Sequence, residues 1–217
     1  MNKSQLTRIF AKPPELQTRR LLLRKLAVSD FADMYEYSRL EEVTRYLVWN
    51  PHPDEEYTER YLESVQTQYK TGEFFDWGVV WRDNGKLIGT CGFTSFDTAH
   101  NRGEAGYVIN PAYRGIGVAP EALMAVLDFG FNELRLNRIE AKYIFGNDAS
   151  RRVMEKCSMT FEGVLRGYMH IKHGYSDIGM CAVLADDFKR IYGTARFYER
   201  KQAGGINFLK VFEKDWF

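Results

Sequence analysis

The sequence predicts an α+β domain, with mixed α/β element order, in which a twisted, mostly antiparallel sheet is flanked by helices. Three apolar, strand-like runs follow one another between residues 74 and 109, and Asp83-Asn84-Gly85 joins the first two as a hairpin turn. Two helical stretches then interrupt the strands. With 217 residues, 45% of them hydrophobic, the chain is long enough to bury roughly 70% of its unfolded surface around one core.

One short strand and two helices precede this meander. Leu21–Arg24 reads as a strand, and a helix begins near Ser29-Asp30, with apolar residues at 31, 34, 35 and 37. A second helix follows Pro53-Asp54 and stops at Thr71-Gly72. We expect its tyrosines in the core, because aromatic side chains at helical spacing are usually buried.

The elements after the meander alternate between helix and strand. Apolar residues recur every three to four positions over 118–134 and predict an amphipathic helix. A strand over 138–145, a helix over 147–157 and a closing strand pair over 164–172 and 178–184, turned at His173-Gly174, complete the order. A last helix runs from residue 186 to about residue 202, before Gly204-Gly205.

We expect one central domain over residues 18–185, with an N-terminal arm over 1–17 and a helix with an apolar tail over 186–217. The tail is too apolar to remain exposed, so it should pack on its own domain or on a second copy, which makes a homodimer an open alternative.

Charge and composition exclude several classes of partner. Lys and Arg number 30 and Asp and Glu 29, and this near balance argues against duplex nucleic acid or an anionic membrane face as the main partner. No apolar stretch reaches the ~20 residues of a membrane span, and the N-terminus lacks the apolar segment of a secretion signal, so we expect a cytoplasmic protein. Three cysteines without paired spacing suggest neither disulfides nor a metal site.

The segment most informative about chemistry is a strand that leads into a glycine-rich turn and then a helix. The strand over 104–110 is followed by Arg114-Gly115-Ile116-Gly117-Val118-Ala119, with Pro120 in the first helical turn. Free amides at a helix start, reinforced by the helix dipole, form a site for an anion. An ordinary tight turn is the alternative, and the segment lacks the Gly-Lys-Ser/Thr ending of a P-loop and the acidic residue of a dinucleotide fold.

Residues 18–185 resemble the GNAT N-acetyltransferase superfamily and, within it, the RimJ/RimL-like branch. The resemblance rests on the order and spacing of Thr18-Arg-Arg-Leu-Leu-Leu-Arg24, Trp49-Asn-Pro-His52, Glu104-Ala-Gly-Tyr107, Arg114-Gly-Ile-Gly-Val-Ala119 with Glu121-Ala-Leu, Arg138-Ile-Glu-Ala141, Asn147-Asp-Ala-Ser-Arg-Arg-Val153, Glu155-Lys156 and Phe161-Glu-Gly-Val-Leu-Arg166. It implies the GNAT fold, whose central strand pair splays apart, and acetyl transfer to a primary amine.

The resemblance also implies an acetyl-CoA site. The pyrophosphate is expected on the amides of Gly115, Ile116, Gly117, Val118 and Ala119, with a charged contact from Arg114. Backbone groups of Val108, Ile109 and Asn110 are expected to pair with the pantetheine arm as an added strand would. Asn147 and Ser150 occupy the family's Asn-x-x-Ser position near the thioester, although Asn147 could equally cap its helix.

Catalytic roles follow from the same resemblance. The family pattern places a general base that acts through water at Glu104, against which stands a solvated or ion-paired carboxylate. A backbone N–H near Val108 is the expected oxyanion donor. Met154 stands where many members carry a tyrosine acid, so the RimJ/RimL-like pattern suggests Ser150 as the acid.

We expect Trp49, His52 and Tyr168 around the acceptor mouth; a hydrogen-bonded turn histidine is the favoured alternative to a catalytic role for His52, which stands between two prolines. Deprotonating a lysine amine at neutral pH costs roughly 4 kcal/mol, against roughly 0.5 for a protein α-amino group. A protein N-terminus is therefore the favoured acceptor. A small-molecule amine, such as a polyamine or an antibiotic, and a non-catalytic acyl-CoA-binding module remain the alternatives.

Overall fold

The computed structural model describes residues 2–172 and 174–200. The helices are α1 (Lys3–Ala11), α2 (Phe31–Ser38), α3 (Glu41–Thr44), α4 (Glu55–Thr71), α5 (Val118–Asn132), α6 (Asp148–Lys156) and α7 (Ala185–Tyr192). The strands are β1 (Leu16–Gln17), β2 (Leu21–Arg24), β3 (Asp76–Trp81), β4 (Leu87–Asp97), β5 (Arg102–Ile109), β6 (Arg138–Ile144), β7 (Thr160–Ile171) and β8 (Gly174–Leu184). The turn residue His173 and the apolar tail lie outside the described residues.

The described strands form one sheet in the order β1-β2-β3-β4-β5-β6-β8-β7. Every neighbouring pair is antiparallel except β5 and β6, which run parallel from Arg102 opposite Arg138 to Ala105 opposite Ala141. Beyond Ala105 the two strands separate, and β6 pairs only with β8. This confirms the predicted mixed architecture with a splayed central pair.

The longer of the two predicted helices in the N-terminal half, α4, begins and ends where its sequence predicts. Asp54 caps α4 by accepting a hydrogen bond from the Tyr57 N–H, and Gly72 ends the helix in the left-handed conformation at φ 66°. A Cβ on Gly72 would lie 2.2 Å from the Thr7 carbonyl oxygen of α1, so this position also needs glycine for space.

Helix α1 was not predicted. Asn2 and Gln5 form a reciprocal capping box at its start, and its Leu6 and Phe10 are buried in the main core. Phe10 meets Phe75 and Trp77 of the sheet edge to face, with ring centroids 5.0 and 5.5 Å apart. The N-terminal residues thus share the core of the central segment.

Helix α5 differs from the amphipathic helix expected, because 13 of its 15 residues are buried. One side packs on β4 and β5, while Phe188 of α7 covers Phe131 with ring centroids 4.9 Å apart. The buried Asp128 accepts hydrogen bonds from Arg196 Nη1 and from the Phe197 N–H. The helix therefore lies between the sheet and the C-terminal segment.

The prediction that the last helix reaches residue 202 is wrong. Helix α7 ends at Tyr192, and Gly193 follows at φ 63°. The chain then extends along α5, where Asp128 holds it, and Glu199 pairs with Gln17 of β1. Contacts to distant elements replace the helical hydrogen bonds that residues 194–200 could have made.

Within the described ranges, every helix falls short of the length and apolarity that a bilayer span requires. The cysteines Cys91, Cys157 and Cys181 are buried and unpaired, and burial raises the pKa of each thiol.

Candidate active site

The separation of β5 from β6 leaves peptide groups of β5 facing a gap. The Asn110 N–H donates to the Ile88 carbonyl of β4, and a Cβ on Gly89 of β4 would lie 2.1 Å from the Val108 carbonyl oxygen. Successive peptide groups of a strand point to opposite sides, so those of Tyr107 and Ile109 face the gap.

This geometry reduces the number of strand residues whose peptide groups can contact the pantetheine arm. Of Val108, Ile109 and Asn110, only Ile109 directs its peptide group into the gap, and its carbonyl already accepts a 3.0 Å hydrogen bond from Arg114 Nε. The buried Asn110 side chain instead donates to Glu36 Oε1 and accepts from the Ala112 N–H. Tyr107, which the sequence interpretation omitted, is the second residue whose peptide group faces the gap.

The glycine turn has the conformation that its sequence predicts. Gly115 and Gly117 adopt φ of 79° and 82°, and Gly117 precedes the first residue of α5. No described side chain caps this helix, so the amides of Val118 and Ala119 remain available at its positive end. The turn can therefore hold an anion.

The buried carboxylate of Glu121 fixes the glycine turn through Arg20. Arg20 Nη1 donates a 2.7 Å hydrogen bond to the Ile116 carbonyl of the turn, while Arg20 Nε donates to Glu121 Oε2 at 2.7 Å. Glu121 also accepts from the Thr18 hydroxyl at 2.6 Å and the Arg20 N–H at 2.9 Å. The turn between β1 and β2 thereby fixes the orientation of the glycine turn relative to α5.

A cavity of about 540 Å³, here called the turn cavity, lies between β5, residues 113–120 and α6. Its described lining carries three cations, Arg114, Arg152 and Lys156, against one carboxylate, Glu42. Burial lowers the pKa of Arg114, and Glu42 opposes this effect. The excess of positive charge matches a polyphosphate ligand. Sequence analysis did not assign Arg152 and Lys156 to the site, although their spacing of four residues on α6 signals a common face.

The turn cavity meets a second cavity at Asn147 and Ser150. Asn147 Oδ1 accepts from the Ser150 N–H at 3.3 Å, so Asn147 caps α6, and its Nδ2 donates to Ser150 Oγ at 3.1 Å. The Tyr107 hydroxyl donates to the Ser150 carbonyl at 2.9 Å. Because Ser150 Oγ accepts from Asn147, the serine hydroxyl keeps its own proton for donation.

The second cavity, the aromatic cavity, measures about 570 Å³ and lies over β3, β4 and β5 beneath α2 and α4. Its aromatic lining comprises Tyr37, Tyr46, Trp49, His52, Tyr57, Tyr61, Tyr107 and Tyr143. Tyr57 and Tyr61 were expected in the core, but they line this cavity. Tyr69 is fully buried, as expected.

The predicted acceptor residues divide between two places. Trp49 and His52 line the aromatic cavity with ring centroids 5.4 Å apart, and His52 Nδ1 lies 2.9 Å from Thr58 Oγ1. Burial lowers the pKa of His52. Tyr168 is half exposed and lies outside the described lining, with Lys142 Nζ 5.2 Å from its ring centroid. Tyr168 thus contacts a lining residue of the aromatic cavity, and its place at the acceptor mouth stays a prediction.

Two carboxylates enter the aromatic cavity, and they differ in their partners. Glu104, the predicted base, forms a 2.6 Å ion pair with Lys142, which is the ion-paired alternative that the sequence left open. Burial lowers the pKa of Lys142, but Glu104 raises it, and the net effect is upward. Asp76 was not predicted: burial raises its pKa to about 7, against hydrogen bonds from the Thr90 side chain and the Trp77 N–H.

Among the described residues, no three or more side chains of the metal-ligating types gather into one group. A parallel strand pair that opens beside a cationic cavity, with a free helix N-terminus at its end, can hold an extended ligand that carries a pyrophosphate, such as a coenzyme A thioester. Residues 20–160 match the family model described as acetyltransferase (GNAT) domain, and the chain belongs to this family. It is an acetyl-CoA-dependent N-acetyltransferase.

Known proteins support this assignment. The chain is 32% identical over 173 residues to the uncharacterized N-acetyltransferase p20 of Bacillus licheniformis, covering 80% of this chain and 97% of that protein. It is 25% identical over 140 residues to the putative ribosomal N-acetyltransferase YdaF of Bacillus subtilis, covering 64% and 75% of the two chains.

Solved structures share the fold. A GNAT-family acetyltransferase from Bacillus anthracis superposes with a TM-score of 0.71 at 29% identity, covering 79% of this chain and 99% of that one. Spermidine N-acetyltransferase from Vibrio cholerae, solved with CoA and spermine, gives 0.66 at 21% identity, covering 78% and 98%.

Proposed function

We propose that this N-acetyltransferase transfers the acetyl group of acetyl-CoA to the α-amino group at the N-terminus of a protein or peptide. The observation that carries the proposal is the charge of the aromatic cavity. Its Glu104 is neutralised by Lys142, so Asp76 is the one unpaired carboxylate of the described lining. Such a cavity offers a single site for a single ammonium group.

The alternative acceptor, a polyamine, needs several negative charges at intervals along its length. One unpaired carboxylate surrounded by aromatic rings does not supply them. The spermidine N-acetyltransferase of Vibrio cholerae is 21% identical, a likeness that extends to the fold alone. Among the curated relatives, YdaF carries a name that points to ribosomal substrates.

The mouth of the aromatic cavity suits a polypeptide. Val48 and Tyr57 line it with exposed fractions of 64% and 45%, so apolar surface is available beside the entrance to the residues that follow an N-terminus. An α-amino group also titrates near neutral pH, and its deprotonation needs only roughly 0.5 kcal/mol at pH 7.4.

The remaining chemical roles fall to residues at the junction of the two cavities. We assign the oxyanion contact to the amide of Tyr107 or Ile109, and protonation of the departing thiolate to Ser150, whose hydroxyl proton is free to donate. The water-relayed base role of Glu104 stays a prediction and is tested below.

A thiol-release assay with acetyl-CoA tests the acceptor class. We expect turnover with short peptide amides that have a free N-terminal alanine or serine. We expect none with the same peptides acetylated at the N-terminus and carrying an internal lysine, and little with spermidine or kanamycin. Preferred turnover of spermidine, kanamycin or the blocked lysine peptide would contradict the proposed acceptor. CoA binding without thiol release from any amine would indicate a non-catalytic acyl-CoA module.

The same proposal includes a cytoplasmic location, supported by three buried, unpaired cysteines. It also includes a homodimer, supported by the edge strand β7, on which Phe161, Val164 and Leu165 are partly exposed at 37 to 38%. Sedimentation equilibrium at micromolar concentration tests the dimer.

A further inference from the structure

Asp76 lies at the end of a cross-strand row that is empty of side chains. It is the first residue of β3, it pairs with Gly92 of β4, and Gly92 pairs with Gly106 of β5. Two strand spacings separate Asp76 from Gly106, about 10 Å between Cα atoms. Because neither glycine carries a side chain, neither of these two positions places a side chain between Asp76 and the gap beside β5.

The space above Gly92 belongs to the Asp76 carboxylate. A Cβ on Gly92 would lie 2.7 Å from Asp76 Oδ1 and 2.5 Å from the Phe75 carbonyl oxygen. A Cβ on Gly106 would meet one atom within 4 Å, Thr94 Cγ2 at 3.0 Å. The side chains of Asp76, Thr90 and Thr94 all line the aromatic cavity.

The charged and titratable groups around Asp76 leave it without a counterion in the described part of the chain. Tyr37 of α2, Tyr61 and Tyr69 of α4 and Cys91 of β4 face it, and burial raises the pKa of all four, so they are neutral at pH 7. Across the cavity, burial lowers the pKa of His52, and Glu104 and Lys142 neutralise each other.

Desolvation therefore determines the state of Asp76, whose pKa rises to about 7. A carboxylate in such a place gains most from a cation that enters the cavity, and the rings of Tyr37, Tyr61 and Trp49 provide faces that attract cations. Glu104 gains less from an entering cation, because Lys142 already neutralises its charge.

We propose that Asp76 is a catalytic residue that binds the ammonium group of the acceptor and takes its proton. This proposal rests on the amine acetylation proposed above, and it assigns the role of general base to Asp76 in place of Glu104. An ammonium hydrogen-bonded to Asp76 would lie in the aromatic cavity near Gly92, and this cavity continues to Val108 and Ser150, which line both cavities.

The proton balance is as follows. The ammonium gives one proton to the Asp76 carboxylate, and the neutral nitrogen attacks the thioester carbon, so that a C–N bond forms and the C–S bond breaks. As the amide forms, the second proton of the nitrogen passes to Ser150, whose own hydroxyl proton goes to the departing thiolate, so that the serine ends protonated. Asp76 then releases its proton to solvent, and the products are the N-acetylated amine, CoA and one proton.

The pH dependence of kcat/KM tests the assignment, with a peptide amide bearing a free N-terminal alanine as the probe. The productive pair is an ionised Asp76 and a protonated amine, so the wild type gives a bell with limbs near pH 7 and near the α-amine pKa of about 7.8. In Asp76→Asn the bell becomes a monotonic rise with pH, because only neutral amine reacts, and kcat/KM at pH 7 falls on the order of 100-fold.

Two further variants sharpen the result. Thr90→Val removes a hydrogen bond to the carboxylate and moves the lower limb to higher pH. Asp83→Asn makes the same chemical change at an exposed position of the β3–β4 hairpin and leaves the profile unchanged. Unchanged melting temperature and acetyl-CoA affinity in Asp76→Asn establish that the fold and the turn cavity are intact.

A direct titration of Asp76 tests its role independently of the proposed acceptor. Infrared difference spectra of the free enzyme, wild type minus Asp76→Asn, give a carboxyl band that titrates near pH 7 even where no peptide is turned over. A band that titrates below pH 5, or a bell-shaped profile that persists in Asp76→Asn, overturns the role of Asp76. Absence of turnover with all peptides, with the band still near pH 7, counts against the acceptor alone.

Discussion

Lys142 Nζ lies 2.6 Å from Glu104 Oε2 in the aromatic cavity, and the two side chains are 14% and 19% exposed. Their charges cancel, and this cancellation sets the field that the neighbouring Asp76 experiences. Removing either partner leaves one uncompensated charge, of opposite sign in the two cases. The pair therefore offers a test with two opposite outcomes.

Glu104→Gln leaves the Lys142 cation alone, which favours the ionised form of Asp76 and moves the lower limb of the pH profile to lower pH. Lys142→Met leaves the Glu104 anion alone and moves that limb to higher pH. Strand geometry places the pair about 12 Å from Asp76, and over that separation the shifts should be about one pH unit or less. We expect kcat to fall less than about tenfold in Glu104→Gln. A loss of 100-fold or more, together with disappearance of the lower limb, would restore Glu104 as the base.

The second prediction concerns acetyl-CoA binding at the turn before α5. Gly117→Glu places a side chain and a negative charge where the amides of Val118 and Ala119 are available, so the dissociation constant of acetyl-CoA measured by calorimetry should rise more than about 100-fold.

Gly85→Glu is the matched control, because Gly85 has a similar φ of 73°, sits at an open hairpin turn and lies outside both cavities. Equal losses of affinity in the two variants would indicate a general loss of structure. An unchanged affinity in Gly117→Glu would reject the turn as the pyrophosphate site.

The sequence predicted the elements that local signals define. Asp54 and Gly72 mark the two ends of α4, and the hairpin of β3 and β4 carries its own turn residues. Helix α1 carries an equally local signal, the reciprocal capping pair Asn2 and Gln5.

What the sequence could not predict depends on distant partners. The end of α7 depends on Asp128, which lies in another helix and binds the Phe197 N–H. Asp76 stands between Phe75 and Trp77, where strand alternation suggests an ordinary solvent-facing carboxylate. Only the pairing with Gly92 and Gly106 creates the cavity in front of it.

Substitution of Glu121 should lower the stability of the fold, because its side chain is buried. It is 7% exposed and accepts hydrogen bonds from Thr18 and Arg20, so Glu121→Ala leaves the Arg20 cation and the Thr18 hydroxyl without their partner. We expect the free energy of unfolding in urea to fall by about 3 kcal/mol. In the control, Glu56→Ala on the surface of α4, the loss of the exposed pair with Arg60 should cost less than about 0.5 kcal/mol.

The same variant should weaken acetyl-CoA binding, because Arg20 also holds the Ile116 carbonyl of the turn. Arg20→Met removes the bond to the turn together with the ion pair to Glu121, and keeps the Thr18 contact. An Arg20→Met protein with unaltered acetyl-CoA affinity would show that the turn keeps its orientation without Arg20.

Arg152 and Arg151 are neighbours on α6 with different surroundings, and they give the last test. Arg152 lines the turn cavity, whereas Arg151 forms a 2.8 Å ion pair with Glu155 and packs against the ring of Phe161. We expect Arg152→Gln to raise the dissociation constant of acetyl-CoA about 5- to 10-fold at low salt, and less at high salt, because a partly exposed contact between cation and phosphate is screened. Arg151→Gln removes the same charge from the same helix and should leave the affinity within about twofold. Equal effects would mean that the net charge of α6, and not a contact in the cavity, attracts the cofactor.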